Sequence, residues 1–177
     1  MNSKENFLRS LIRDVPDFPR KGIIFKDITP LLASKEGFRV AIEEMTGFWA
    51  GRGISKVVSV ESRGFIFGAG IAFLLNAGFV PARKPGKLPF ERKSITYDLE
   101  YGTDTIEVHA DAFSKNDRVL VVDDLLATGG TACAAAILAE QSGAVIEGAQ
   151  FLIELEFLKG REKLLKKIPV VKSIIVF

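Results

Sequence analysis

The run Val119-Leu120-Val121-Val122-Asp123-Asp124-Leu125-Leu126-Ala127-Thr128-Gly129-Gly130-Thr131 constrains this chain more than any other stretch, because it joins an apolar strand to two acids and a glycine-hydroxyl loop. Four consecutive apolar residues suit a central parallel strand buried on both faces. The acids that follow then fall at its carboxyl end, where open α/β sheets bind ligands. Ala127 to Thr131 forms a loop whose backbone N–H groups and two threonine hydroxyls can surround a phosphate, and the helix expected from Thr131 favours an anion at its N-terminus. Asp123 and Asp124 do not suit a phosphate. They suit the vicinal hydroxyls of a sugar, since an ionised carboxylate is acceptor-only and takes two hydroxyl protons. A Walker-type loop is excluded because GxxxxGK[ST] and its lysine are absent, and the stretch is not a GxGxxG dinucleotide turn.

The order of hydrophobic strand, Asp-Asp and Ala-Thr-Gly-Gly-Thr resembles the phosphoribosyl diphosphate (PRPP) motif of the type I phosphoribosyltransferases. Gly22-Ile23-Ile24-Phe25-Lys26-Asp27-Ile28-Thr29-Pro30, Glu61-Ser62-Arg63-Gly64-Phe65, Tyr97-Asp98-Leu99-Glu100-Tyr101-Gly102 and Leu158-Lys159-Gly160-Arg161-Glu162-Lys163-Leu164 resemble segments of the adenine phosphoribosyltransferase family, in that family's order. The resemblance covers essentially the whole chain.

Composition sets the class. With 177 residues the chain is expected to form a single domain, residues 1–177, and 47% hydrophobic residues supply its core. A net charge of +2 with a pI of 8.7 is a near balance of acids and bases, so nucleic acid is not implied as a partner. Residues 1–9 lack the apolar core of a signal peptide, which leads us to expect a cytoplasmic protein. Gly64 to Ala77, broken by Gly68 and Gly70, is shorter than the roughly 20 residues of a membrane span and reads as a core helix, so no membrane is implied. Cys133 is the only cysteine and is expected to be a small buried apolar residue.

Periodicity predicts an amphipathic helix from Ser3, carrying Phe7, Leu8, Leu11, Ile12 and Val15 and stopped by Pro16, then a helix over 37–50 and a strand over 56–60. Helix 64–76, strand 78–82, strand 118–123, helix 131–142, strand 145–155 and strand 173–177 follow. Alternating strands and helices predict an α/β fold with a parallel sheet covered on both sides. Between Arg83 and Ala110 the texture changes to Pro85, Gly86 and Pro89 among basic residues, then to alternating Ile95, Tyr97 and Leu99, which reads as a loop leading into a hairpin that acts as a lid. Lys159, Arg161, Lys163, Lys166 and Lys167, interleaved with Leu158, Leu164 and Leu165, read as a helix with a solvated basic face.

The resemblance implies a type I phosphoribosyltransferase-like central parallel sheet flanked by helices, with a flexible hairpin over the site, and transfer of the 5-phosphoribosyl group from PRPP to adenine, giving AMP and pyrophosphate in purine salvage. Ala127, Thr128, Gly129, Gly130 and Thr131 would hold the 5′-phosphate and Asp123 and Asp124 the ribose. Ser62 and Arg63, with Arg83, Lys84 and Lys87, would hold the pyrophosphate, and the family has a non-proline cis bond before this arginine. Within a base-binding segment, residues 1–35, the backbone of Ile24 and Lys26 would read adenine and Phe25 would stack on it, with Leu155 closing another wall. Glu100 would serve as a catalytic acid/base beside Arg63, and Tyr101 would cover the site from the lid, 83–110. Mg²⁺ is the expected cofactor, held mainly by PRPP oxygens and waters, and the family is homodimeric. His109, the only histidine, gives no base for a Ser-His-Asp arrangement and is expected to be structural. A xanthine or guanine phosphoribosyltransferase and a non-catalytic PRPP-sensing regulator are the alternatives. The Ile24-to-Lys26 backbone argues against the first, and a length that leaves no room for a DNA-binding domain argues against the second.

Overall fold

The computed structural model describes residues 3–98 and 102–177. They fall into two compact units, Met1–Glu44 and Met45–Phe177. In the first, helix α1 (Ser3–Ser10) precedes strands β1 (Arg13–Pro16) and β2 (Ile24–Asp27), which pair antiparallel with Val15 opposite Phe25. Short helix α2 (Thr29–Ala33) and helix α3 (Lys35–Gly47) follow. The expected first helix thus ends earlier than its apolar spacing predicts, because Pro16 pushes Val15 into extended backbone and the stretch joins a strand instead.

The second unit is built on five parallel strands in the order β4-β3-β7-β8-β9. Strand β3 (Lys56–Val60) leads through helix α4 (Arg63–Leu75) to β4 (Gly78–Ala82), at the sheet edge. Hairpin β5 (Arg92–Asp98) and β6 (Thr103–His109) forms a separate two-stranded sheet. Strand β7 (Arg118–Leu126), helix α5 (Gly130–Glu140) and β8 (Val145–Glu154) come next. A single turn of 3₁₀ helix, Glu156–Leu158, helix α6 (Gly160–Leu164) and β9 (Val171–Val176) complete the chain. Val119 to Val122 are fully buried at the centre, as an apolar run covered on both faces requires. Strand β7 runs three residues past the expected boundary at Asp123, so Asp124 also lies within it, and Asp123 pairs with Phe151 of β8.

Excursion 83–110 is a loop leading into a hairpin, and its base belongs to the core. Arg83 and Glu107 exchange backbone hydrogen bonds of 2.8 and 2.7 Å, and Ile106 and Val108 are buried among core side chains. The basic stretch after Leu158 differs from expectation. Its helix is five residues long, and Arg161 is bound to the sheet instead of lying on a solvated face. Cys133 is partly buried, packed against the core cluster. Among the described residues, no helix is long and apolar enough to cross a membrane.

Candidate active site

Strand order reverses at β3: its chain successor β4 lies on one side, and β7 lies on the other. A crevice opens at the carboxyl ends of strands flanking such a switch point. Two turns border it. One carries Glu61, Ser62 and Arg63 from β3 into α4, and the other carries Ala127 to Gly129 from β7 into α5.

Gly129 caps α5 with φ +78° and no side chain caps the helix, which leaves its start without a side-chain acceptor, the arrangement that suits a bound anion. Residues 123 and 125–132, with Phe151, line a cavity of about 130 Å³ there. The hydroxyl of Thr131 lies 3.1 Å from that of Tyr97 on the hairpin. All five loop residues named from sequence are therefore gathered around one hollow.

Behind the loop's first turn, the N–H of Asp124 donates to Asp123 Oδ1 at 2.9 Å, and Asp124 Oδ2 forms an ion pair with Arg63 at 2.6 Å. Burial, reinforced by the charge of Asp124, pushes Asp123 well above the usual carboxylate range. Burial also raises Asp124, against the opposing pull of the Arg63 guanidinium. Gly64 lets these groups converge: a Cβ at this position would lie 2.6 Å from Asp123 Oδ1 and 2.9 Å from Ser59 Oγ.

Across the crevice, Glu61, Ser62, Phe65, Arg83, Lys84 and Lys87 line a cavity of about 370 Å³. Arg83 Nε donates to Glu61 Oε2 at 2.6 Å, Lys87 lies 3.2 Å from Oε1, and Lys84 pairs with Asp104. Although burial disfavours its charge, hydrogen bonds from Arg83 and Lys87 hold Glu61 below its ordinary carboxylate value. Each cation expected to meet a diphosphate is thus already paired with a carboxylate. Glu61 was not among the residues expected here, and no local signal marks it, because the cations that pair with it lie more than twenty residues further along the chain. The cis peptide here is Glu61–Ser62, one residue earlier than the bond before Arg63 that the resemblance implies.

In the first unit, Phe25 meets Phe18 edge to face at 5.2 Å, and Lys26 pairs with Asp14 at 2.7 Å. Being two apart on β2, Ile24 and Lys26 turn their backbone groups to the same edge of the strand. Leu155, in the second unit, follows β8 and donates its N–H to Leu126 O at 2.9 Å, beside the start of the glycine loop. Glu100 and Tyr101 lie outside the described residues. His109 meets Phe90 edge to face at 6.5 Å and pairs with Arg92 across the hairpin.

Residues 28–175 match the phosphoribosyl transferase domain. The adenine phosphoribosyltransferase of Halothermothrix orenii is 57% identical over 157 residues, which cover 89% of this chain and 92% of that protein. Among solved structures, adenine phosphoribosyltransferase from Rhodothermus marinus superposes with a TM-score of 0.93 at 50% identity, covering 99% of both chains. The Saccharomyces cerevisiae enzyme, complexed with an imino-altritol bisphosphate and adenine, gives 0.90 at 39% identity, covering 98% of this chain and 99% of that one. Matched in sequence and in fold along nearly its whole length, the chain belongs to the adenine phosphoribosyltransferase family.

Proposed function

We infer that this protein transfers the 5-phosphoribosyl group of PRPP to adenine, forming AMP and pyrophosphate in purine salvage. The observation that carries the reading is the meeting of a glycine-threonine helix start without a side-chain cap, an aspartate pair of which Asp124 is buried and Asp123 lines the loop cavity, and a cation-lined cavity at one topological switch point. The C1–O bond to pyrophosphate breaks, the C1–N9 bond to the base forms, and the N9 proton must leave.

Ala127 to Thr131 bind the 5′-phosphate through N–H groups and hydroxyls, and Asp123 and Asp124 accept the ribose hydroxyl protons. Accepting them separates Asp124 from Arg63, whose guanidinium then turns to the diphosphate with the backbone of Ser62. Arg83, Lys84 and Lys87 exchange Glu61 and Asp104 for the same ligand. Negative charge on the aspartate pair favours an oxocarbenium-like transition state. Mg²⁺ would be held mainly by PRPP oxygens and waters, with the hard carboxylate oxygens of Asp123 and Asp124 beside it, and would supply positive charge against the departing diphosphate. Ile24 and Lys26 read the 6-amino edge of adenine through backbone groups, Phe25 stacks on the ring and Leu155 forms a wall. Glu100 receives the N9 proton and Tyr101 covers the site, roles that rest on the sequence resemblance alone.

Residues 1–177 act as one phosphoribosyltransferase domain, with a base segment at 1–35 and a lid at 83–110; the family match across 28–175, which includes parts of both compact units, supports this. The protein acts as a homodimer. Exposed Ile66 and Phe73, seven apart and so on one face of α4, support a second copy as their cover. A cytoplasmic site agrees with a chain holding one cysteine.

AMP and pyrophosphate formation from PRPP with adenine, hypoxanthine, guanine or xanthine tests this reading. Adenine-selective turnover that stops with EDTA and returns with Mg²⁺ is the expected result. Turnover with an oxopurine instead would discard the base assignment, and PRPP binding without turnover would leave a sensor.

A further inference from the structure

The Leu158–Leu164 motif has no role in the chemistry above, yet it lies against the back of the glycine loop. Gly160 is buried, and a Cβ there would meet Ala127 O at 2.1 Å and Leu126 Cδ1 at 2.9 Å. From the other side, a Cβ on Gly129 would lie 3.0 Å from Gly160 O and 3.1 Å from Leu164 Cγ, at a φ of +78° that already favours glycine. The two backbones therefore touch with no side chain between them, and fully buried Leu164 closes the contact.

What holds the Gly160 segment there is its neighbour. Arg161 donates from Nε to Glu154 Oε1 at 2.9 Å, from a terminal nitrogen to Val171 O at 2.7 Å, and from the other to Glu154 Oε2 and to Ser173 Oγ, the last at 3.2 Å. Glu154 is 3% exposed and pairs in register with Leu126, the residue from which the loop departs. One guanidinium thus ties the segment to β8 and β9, and β8 in turn to the base of the loop. A planar fork with several fixed donors can hold that geometry, whereas an ammonium supplies a point charge.

We propose that Gly160 and Arg161 are positioning residues for PRPP: they fix the loop Ala127–Thr131 from behind, so that its N–H groups converge on the 5′-phosphate. The proposal rests on the reading of that loop as the phosphate cradle. Displacing such a cradle by even 1 Å costs about 100-fold where donors must converge, while adenine recognition stays untouched.

The test compares wild type, Gly160→Ala, Arg161→Ala and Arg161→Lys by KM for PRPP, KM for adenine and the Kd of ribose 5-phosphate from calorimetry. KM for PRPP and Kd for ribose 5-phosphate should rise together, about 10- to 100-fold in Gly160→Ala and Arg161→Ala, with KM for adenine within about two-fold and Arg161→Lys intermediate. A lowered Tm with KM for PRPP unchanged would overturn the proposal, as would parallel rises in both KM values. If Gly160→Ala does not fold, the graded Arg161 pair decides alone. Ribose 5-phosphate binding by a wild type that forms no AMP would sink the transferase reading, yet the Kd series would still judge the loop. Failure of wild type to bind ribose 5-phosphate overturns the cradle and the proposal together.

Discussion

Asp123 illustrates how a residue is kept for chemistry at a cost to folding. Its carboxyl is held well above the usual range by burial and by Asp124. Such a group contributes stability that is fully present below its unfolded value of about 4 and is lost as pH rises through its raised folded value. Asp123→Asn should therefore raise the Tm of the ligand-free protein at neutral pH, by roughly 2–4 °C for each kcal/mol relieved. The gain should shrink as pH falls toward 4, and KM for PRPP should rise by about 10-fold or more as a charged hydroxyl acceptor is lost. Thermal melts at several pH values and steady-state kinetics check both halves; equal Tm values at neutral pH would remove the burial argument. Gly64→Ala probes the same carboxylate sterically, since the new methyl would lie 2.6 Å from Asp123 Oδ1. An increase of about 10-fold in KM for PRPP is expected, with KM for adenine unmoved, and parallel changes in both would count against it. The aspartates and the loop were legible in the sequence because adjacent residues carry their chemistry. Glu61 was not, because its meaning comes from Arg83 and Lys87, more than twenty residues away along the chain.

Among elements, β3 and β4 form over the residues expected from sequence, and the hairpin forms around the alternating Ile95 and Tyr97. The misread elements are those in which tertiary partners override local periodicity. The chain from Arg13 to Pro16 pairs with β2 instead of prolonging α1, and the Leu158–Lys167 stretch shortens to one helical turn or so because Arg161 is drawn to Glu154. Strand β8 owes its fit to a glycine. A Cβ at Gly148 would come within 2.2 Å of the Trp49 ring and 2.7 Å of Val170 O, and Trp49 is buried with its Nε1 donating to Gln150 Oε1 at 2.8 Å. Gly148→Ala must push the indole out or break that hydrogen bond, so it should destabilise the fold by about 2–3 kcal/mol. Urea midpoints at constant slope measure this, and an unchanged midpoint would show that the indole site is loose.

For the whole molecule, the exposed face of α4 predicts assembly. Phe73 is 85% exposed, an unusual position for an aromatic ring in a lone chain. Sedimentation velocity should find wild type at about twice the chain mass of 19.4 kDa and Phe73→Glu near that mass itself. Identical masses for the two proteins would place the interface elsewhere. By itself, the sequence determined the α/β alternation, the identity of the central strand and the chemistry of the loop after it, because hydrophobic period and turn residues act between near neighbours. Only the tertiary structure decided which groups face one another: Arg63 against Asp124, Glu61 among the cations, Gly160 against Ala127. Those contacts depend on strand order and on side chains brought together across long stretches of chain, and no local pattern encodes such distances.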